Sequence, residues 1–280
     1  MHIPTKMLND GCVVPAIGFG TFSLQGATGV RAVDLALKNN YRWLDTAFTY
    51  ENEGTVGRAI AQSSVPREEI IITSKLPGRC HEYEKAVYTI QESLYRANLD
   101  YFDFYLIHWP NPKHGKYVEA WQALIDAQKW GLIRSIGVSN FLPEHIDVLE
   151  NETGILPSIN QIEMHPYLNN RDLLKYNQSK GIQTQSWSPI GNRLVTELSS
   201  HPLISKMGAK YEKSITQIIL RWHIQLGSIP IPSSRRSAHQ LENISIFDFE
   251  LTDEEMALID SLTKPDGHVF GQEPNTYHEY

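Results

Sequence analysis

Short apolar runs alternate along the chain with longer segments in which apolar residues recur at helical spacing. The first feature is a predicted β-hairpin over 7–18, because Asp10-Gly11 lies between two short apolar runs. Eight strand and helix units are predicted after it. Their strands are 17–21, 42–45, 70–75, 104–108, 133–139, 159–163, 182–186 and 228–231. Their helices are 29–39, 53–61, 83–98, 116–130, 143–150, 170–180, 214–226 and 237–244.

This alternation predicts parallel strands connected by helical crossovers. Eight units within roughly 250 residues match a (β/α)8 TIM barrel better than an open sheet. No Gly/Ser linker or change of composition divides the chain, so residues 1–280 are expected to form one barrel domain.

The end of the chain is predicted to hold a short acidic helix over 253–261 and then a tail rich in Gly, Pro and aromatic residues. A frayed terminus is the usual fate of such an end. Val269, Phe270, Tyr277 and Tyr280 make this tail more apolar than a solvated segment requires. We therefore expect an ordered aromatic tail over the active-site mouth of the barrel.

The formal net charge of -7 belongs to the end of the chain and not to its body. Residues 1–247 carry 24 Lys and Arg against 23 Asp and Glu, whereas 248–280 carry one base against nine acids. A general nucleic-acid binder needs a basic face, so the balanced body argues against a nucleic-acid partner.

Cys12 and Cys80 lie far apart, without the Cys or His spacing of a zinc site. The N-terminus lacks the apolar core of a signal peptide, and no apolar run approaches the ~18–20 residues that span a bilayer. We expect a cytoplasmic protein in a reducing compartment, with no bound metal and no membrane partner.

Polar side chains stand at the carboxyl ends of successive predicted strands, where the active site of such a barrel is expected. They are Asp45 with Tyr50 in the loop behind it, Lys75, His108, Ser139, Asn140, Asn160, Gln161, Trp187 and Ser188. Each of these residues taken alone also has a structural explanation. Their recurrence at one end of the predicted barrel favours a shared site.

Lys75 is the most informative of these residues, because it closes the apolar run 70–72 and a buried ammonium is costly unless it is paired. Asp45 can supply the paired carboxylate. An ammonium near Tyr50 is expected to lower the pKa of that phenol, which makes Tyr50 a candidate proton donor to a developing alkoxide. His108 can orient a carbonyl oxygen by a hydrogen bond.

At these positions the sequence resembles the aldo-keto reductase family, in particular its prokaryotic-type, diketogluconate reductase-like members. Residues 41–47, followed by Tyr50, Glu53 and Gly57, match the first family signature, apart from Asn40 where glycine is usual. Residues 130–141 match the second signature. The resemblance covers nearly the whole chain.

The resemblance implies reduction of small aldehydes or ketones by NAD(P)H on a (β/α)8 barrel, without a metal. Tyr50 is then the general acid, Lys75 and Asp45 tune it, and His108 orients the substrate. Ser139, Asn140 and Gln161 match carboxamide-binding residues, and Trp187 matches the aromatic that stacks on the nicotinamide. The further residues implied at the cofactor are Gly20, Thr21, Asp45, Ser188, Ile231, Ser233, Ser234, Arg235, His239, Glu242 and Asn243.

The third signature departs from the family pattern at the position of the adenosine 2′-phosphate. Ser233 replaces the usual lysine, and His239 stands where an arginine is expected. Two missing cations weaken the case for strict NADPH use. Arg235 or Arg236 can compensate, or both can be solvated loop residues. NADPH is the family expectation, and the changed signature predicts that NADH is used as well.

The predicted substrate pocket has an apolar wall formed by Phe22, Phe48, Trp109 and Phe270, as small-molecule pockets usually do. Pro77 lies where many relatives carry a tryptophan, which opens one side of the pocket.

Two other functions are compatible with the residues. One is a non-catalytic, cofactor-binding or structural member of the same fold. The other is a lyase or isomerase that uses Lys75 as a Schiff base. The four polar residues together favour the carbonyl reductase, and family habit favours a monomer.

Overall fold

The structure is a computed structural model that describes residues 2–280, except for the side chain of Ser199. It contains a two-stranded antiparallel hairpin followed by a parallel sheet of eight strands. The hairpin strands are β1 (Thr5–Met7) and β2 (Val13–Pro15). The sheet strands are β3 (Phe19–Gly20), β4 (Trp43–Asp45), β5 (Ile71–Leu76), β6 (Phe102–Ile107), β7 (Ile133–Ser139), β8 (Ile159–Glu163), β9 (Gln183–Trp187) and β10 (Ile229–Pro230).

The eight strands pair in chain order from β3 to β10, and two backbone hydrogen bonds join the first strand to the last. The amide of Gly18 donates to Pro230 O, and the amide of Gly20 donates to Pro232 O, each over 3.0 Å. A Cβ on Gly20 would lie 3.0 Å from Ile231 O, so glycine permits this close approach. The sheet therefore closes on itself, and the predicted TIM barrel is confirmed.

Helices follow the strands on the outside of the barrel. They are α1 (Gly26–Lys38), α2 (Glu53–Gln62), α3 (Tyr83–Ala97), α4 (Tyr117–Lys129), α5 (Pro143–Thr153), α6 (Arg171–Ser179), α7 (Val195–Ser200), α8 (Pro202–Tyr211), α9 (Ile215–Gln225), α10 (Ser237–Ile244) and α11 (Asp253–Asp260). Helices α7 and α8 lie between 186 and 214, where the sequence pattern predicts no element, and they correct that expectation.

The N-terminal hairpin was predicted from Asp10-Gly11, and the structure confirms it. Gly11 has a φ of +85°, and the Leu8 amide donates to Cys12 O over 2.8 Å across the turn. Leu8 and Val14 are buried with barrel residues that include Trp43 and Phe104. The hairpin therefore packs apolar side chains against the barrel interior.

The helix layer packs closely enough to require glycine at one position. A Cβ on Gly57 of α2 would lie 1.8 Å from the backbone oxygen of Ala97, at the end of α3. The two helices thus meet backbone to backbone.

The C-terminal tail is ordered along the mouth. Glu163, the last residue of β8, forms an ion pair with His268 Nδ1 over 2.7 Å and accepts the Val269 amide over 2.7 Å. Farther along, the ring of Tyr277 lies 4.5 Å from that of Trp109. The expected tail over the active-site mouth is confirmed. Within residues 2–280, no helix combines the length and apolar character that a membrane span needs.

Two buried histidines predict a loss of stability in mild acid. Burial lowers the pKa of His223 to about 3 and that of His81 to about 4. Both are neutral in the fold but take up a proton below about pH 6.5 when the chain unfolds. Their contribution to the free energy of unfolding is therefore complete above that pH and falls as the pH is lowered toward 4. Lowering the pH from 7 to 5 should cost about 2 kcal/mol for each histidine.

Urea unfolding at pH 7 and pH 5 measures this loss. His223 Nε2 lies 2.9 Å from Pro189 O, and His223→Gln keeps a donor there without the proton uptake. Between pH 7 and pH 5, the free energy of unfolding of this variant should fall by about 2 kcal/mol less than that of the wild type. Equal pH dependence of the two proteins would contradict the assignment.

Candidate active site

A buried ion pair lies at the carboxyl ends of β4 and β5. Lys75 Nζ donates to Asp45 Oδ2 over 2.7 Å and to Thr46 O over 2.9 Å, and both charged side chains are almost fully buried. The register of the sheet explains this contact. Asp45 of β4 lies opposite Thr73 of β5, and Lys75 follows Thr73 by two residues on the same face of β5. Burial lowers the pKa of Lys75, and the charge of Asp45 opposes that shift.

Tyr50 ends a 3₁₀ turn over Phe48–Tyr50 in the loop behind β4. Its ring centroid lies 5.0 Å from Lys75 Nζ and 5.9 Å from the His108 ring. Asp45 and Thr46 accept two of the three ammonium protons of Lys75, which leaves the third for the side that faces Tyr50.

The pKa of Tyr50 corrects the sequence analysis. Burial raises it well above 10, and the carboxylates of Asp45 and Glu279 raise it further, so the expected lowering by Lys75 is outweighed. Tyr50 is therefore a protonated phenol at neutral pH. A protonated phenol is the form that can give a proton to a carbonyl oxygen.

His108 follows β6 and faces the loop that carries Tyr50. Its Nδ1 lies 2.6 Å from Glu279 Oε1 and 3.4 Å from the Thr49 hydroxyl. The backbone oxygen of His108 accepts Asn140 Nδ2 over 3.0 Å, which ties the end of β6 to that of β7. The structure thus brings together all four predicted catalytic residues.

A group of amides and a hydroxyl adjoins the ion pair. Gln161 Nε2 donates to Asp45 Oδ1 over 2.7 Å, and Ser139 Oγ donates to Gln161 O over 2.9 Å. Trp187 Nε1 donates to Asn140 Oδ1 over 2.8 Å, which holds the edge of an indole ring that is only partly buried. In the described part of the chain, no bond to Gln161 Oε1 uses up that acceptor, so it can receive an amide N–H.

The loop after β10 and the helix α10 carry the predicted phosphate-binding residues. Ser233, Arg235 and His239 are exposed, whereas Ser234 is half-buried. Arg235 Nη2 donates to Ser23 O over 2.7 Å and so links this loop to the one after β3. No side chain caps the start of α10, so its first amides can meet an anion together with Arg235.

The remaining predicted cofactor residues occupy different positions. Thr21 is buried and donates to Asp45 O over 2.9 Å, Gly20 and Ile231 lie at the closure of the barrel, and Ser188 has a left-handed backbone with φ +48°. Glu242 is half-buried on α10, and Asn243 beside it is buried. These donors, acceptors and the indole suit the amide, ring and phosphate groups of a nicotinamide dinucleotide.

The four predicted pocket aromatics have different surroundings. The ring of Phe22 lies 5.1 Å from that of Tyr50, and Trp109 is buried against Tyr277. The ring of Phe48 lies 3.9 Å from the Arg96 guanidinium, and Phe270 is half exposed. Phe22 and Trp109 therefore lie at the mouth beside catalytic residues, whereas Phe48 packs against a cation.

Sequence reasoning missed Glu279, Asn111 and Gly78. Glu279 comes from the tail, and Asn111 and Gly78 come from the loops behind β6 and β5. An acid among aromatic residues near the end of the chain was the available signal, but its docking partner lies 201 residues away in the sequence.

Known proteins resemble this chain over nearly its whole length. The model of the Aldo/keto reductase family matches residues 16–264. The chain is 45% identical over 278 residues to 2,5-diketo-D-gluconic acid reductase B of Corynebacterium sp. (strain SHS752001), with 99% of each chain covered.

Among solved structures, the aldo/keto reductase from Brucella melitensis is 40% identical with a TM-score of 0.89, and the match covers 93% of this chain and 100% of that one. A Bombyx mori aldo-keto reductase in complex with NADP is 37% identical with a TM-score of 0.89, over 96% and 94% of the two chains.

Proposed function

The chain belongs to the aldo/keto reductase family and is an NAD(P)H-dependent carbonyl reductase, and from this premise we propose how its own residues perform the reduction. The observation that carries the proposal is the buried pair of Lys75 and Asp45, with the ammonium 5.0 Å from the ring of Tyr50. We assign Tyr50 as general acid, Lys75 and Asp45 as the pair that supports it, and His108 as the residue that orients the substrate.

The nicotinamide, when bound, supplies a hydride to the carbonyl carbon. Tyr50 gives its phenolic proton to the carbonyl oxygen, so an aldehyde or ketone leaves as an alcohol and Tyr50 is left as a phenolate. The Lys75 ammonium stabilises that phenolate by its charge until solvent returns the proton. Burial of the pair strengthens this interaction, because little water screens it.

Gln161, Asn140 and Ser139 would hold the carboxamide, and Trp187 would present an aromatic face to the nicotinamide ring. Ser233, Ser234 and Arg235 with the first amides of α10 would meet the phosphate of the adenosine half. These assignments rest on the donor set and on the uncapped helix start.

We further propose that residues 1–280 act as one domain and as a cytoplasmic monomer, with a small carbonyl compound and the dinucleotide as partners. A non-catalytic role gives no reason for burying an ion pair beside Tyr50. A Schiff-base role for Lys75 would need the amine freed from Asp45 and Thr46, which both hold it.

A panel of aldehydes, ketones, dicarbonyls and keto sugars assayed with NADPH and with NADH tests the proposal. The expected result is oxidation of the cofactor that depends on the carbonyl compound. Borohydride trapping of substrate on Lys75 without any nicotinamide cofactor would instead support the lyase.

The cofactor preference is a separate prediction that rests on Ser233 and His239. Both are exposed and neither supplies a permanent cation, so the wild type should favour NADPH over NADH by less than a hundredfold. Ser233→Lys should lower the Kd for NADPH about tenfold and leave that for NADH unchanged, because only NADPH carries the 2′-phosphate.

Titration of cofactor fluorescence measures both constants. Ser261→Lys adds the same charge at an exposed position after α11 and should change neither Kd. A wild-type preference for NADPH above a hundredfold would mean that Arg235 or Arg236 already replaces the missing cations.

A further inference from the structure

The tail places the Glu279 side chain inside the site. Its Oε2 accepts the Gly78 amide over 2.9 Å, and its Oε1 lies 2.6 Å from His108 Nδ1. Its backbone is held on both sides by Asn111, which accepts the Glu279 amide over 3.1 Å and donates to Glu279 O over 2.8 Å. Both carboxylate oxygens and both backbone groups of this residue therefore have partners.

The barrel is shaped to receive this residue. A Cβ on Gly78 would lie 2.0 Å from Asn111 Nδ2 and 2.6 Å from Glu279 O, so only glycine leaves room for the tail. Arg79, the next residue, donates to Tyr280 O over 2.7 Å. Glu279 is therefore held by the Gly78 amide, by the side chains of Asn111 and His108, and by the close approach of its backbone to Gly78.

The nearby lysine and arginine are bound to groups other than the Glu279 carboxylate. Lys75 is bound to Asp45, and Arg79 is turned to the main chain of Tyr280. His81 is neutral at pH 7, since burial lowers its pKa to about 4. His108 contacts Glu279 through Nδ1, so the carboxylate lies directly beside the group that orients the carbonyl.

Two histidines at the surface, the exposed His114 and the half-buried His278, lie near this residue. His114 Nε2 lies 2.9 Å from His278 Nε2, with the rings stacked 4.3 Å apart. The charge of Glu279 also reaches the phenol, whose pKa it raises.

We propose that Glu279 is a specificity-determining residue, which makes the site select carbonyl compounds without a negative charge close to the carbonyl. The inference rests on the proposed function of His108 and Tyr50. A substrate anion about 6–10 Å from the carboxylate meets repulsion that is poorly screened in a half-buried site, and this repulsion is worth at least a tenfold discrimination.

The test compares two substrates of nearly equal size and different charge, 3-formylbenzoate and 3-formylbenzamide, with NADPH as cofactor. The measured quantity is the kcat/KM for the amide divided by that for the anion. Glu279→Gln keeps the size and an oxygen acceptor but removes the charge, so the ratio should fall at least tenfold.

Asp266→Asn removes a charge from an exposed position of the same tail and should leave the ratio unchanged. Glu279→Ala is the second variant and should lower the ratio as Glu279→Gln does. A merely structural role for Glu279 would change kcat/KM for both substrates by the same factor.

A ratio that stays constant or rises in both Glu279 variants would overturn the inference while leaving the carbonyl reductase intact. Failure of the proposed function looks different, because the wild type would then reduce neither aldehyde nor any other carbonyl compound of the panel.

Discussion

Tyr50→Phe should lower kcat for carbonyl reduction about a thousandfold and leave the Kd for NADPH within about twofold. A positioned general acid contributes roughly 10²–10⁴ to the rate, and phenylalanine has no proton to give. The ring itself is retained, together with its contacts to Phe22 and to the ammonium of Lys75. Single-turnover oxidation of bound NADPH measures the first quantity, and fluorescence titration measures the second.

Tyr277→Phe is the matched control for this change. It removes a phenolic hydroxyl at the same mouth, and its ring can keep the contact with Trp109. We expect nearly wild-type kcat for it. A Tyr50→Phe protein that kept full activity would refute the assignment of the general acid.

The catalytic residues could be predicted because most of them stand at the carboxyl ends of regular strands. Parallel strands end at one edge of the barrel, so Asp45, Lys75 and His108 had to meet once the alternation was recognised. Pairing of Lys75 with Asp45 followed from the cost of a buried ammonium. The structure bears out this part of the reasoning by a contact of 2.7 Å.

The environment of Tyr50 could not be predicted in the same way. Its pKa depends on how deeply the loop buries the phenol and on the approach of Glu279, and neither follows from strand order. The position of Glu279 depends on how the tail docks against Gly78 and Asn111. Docking of this kind is set by the shape of loops, which local sequence patterns do not encode.

Helices α7 and α8 were missed for a related reason. The segment between β9 and α9 contains Gly191, which has a left-handed backbone, and a proline at the start of α8. Such residues indicate a loop when they are read one by one. Packing of buried Leu198, Ile204 and Met207 against the outside of the barrel makes these short helices stable.

Lys75→Met should lower the free energy of unfolding by about 3–5 kcal/mol and abolish most of the activity. The loss of stability arises because Asp45 remains buried without its counter-charge, although Gln161 still donates to its other oxygen. Urea unfolding at pH 7 measures the loss. Steady-state reduction of an aldehyde with NADPH measures the activity.

The double variant Asp45→Asn with Lys75→Met separates the two effects of the pair. Removing both charges takes away the unpaired carboxylate, so at least about 2 kcal/mol of the stability lost in Lys75→Met should return. Activity should not return, because no ammonium then stabilises the phenolate of Tyr50. A single Lys75→Met variant as stable as the wild type would show that water or another group already neutralises Asp45, and recovery of activity in the double variant would remove the pair from the mechanism.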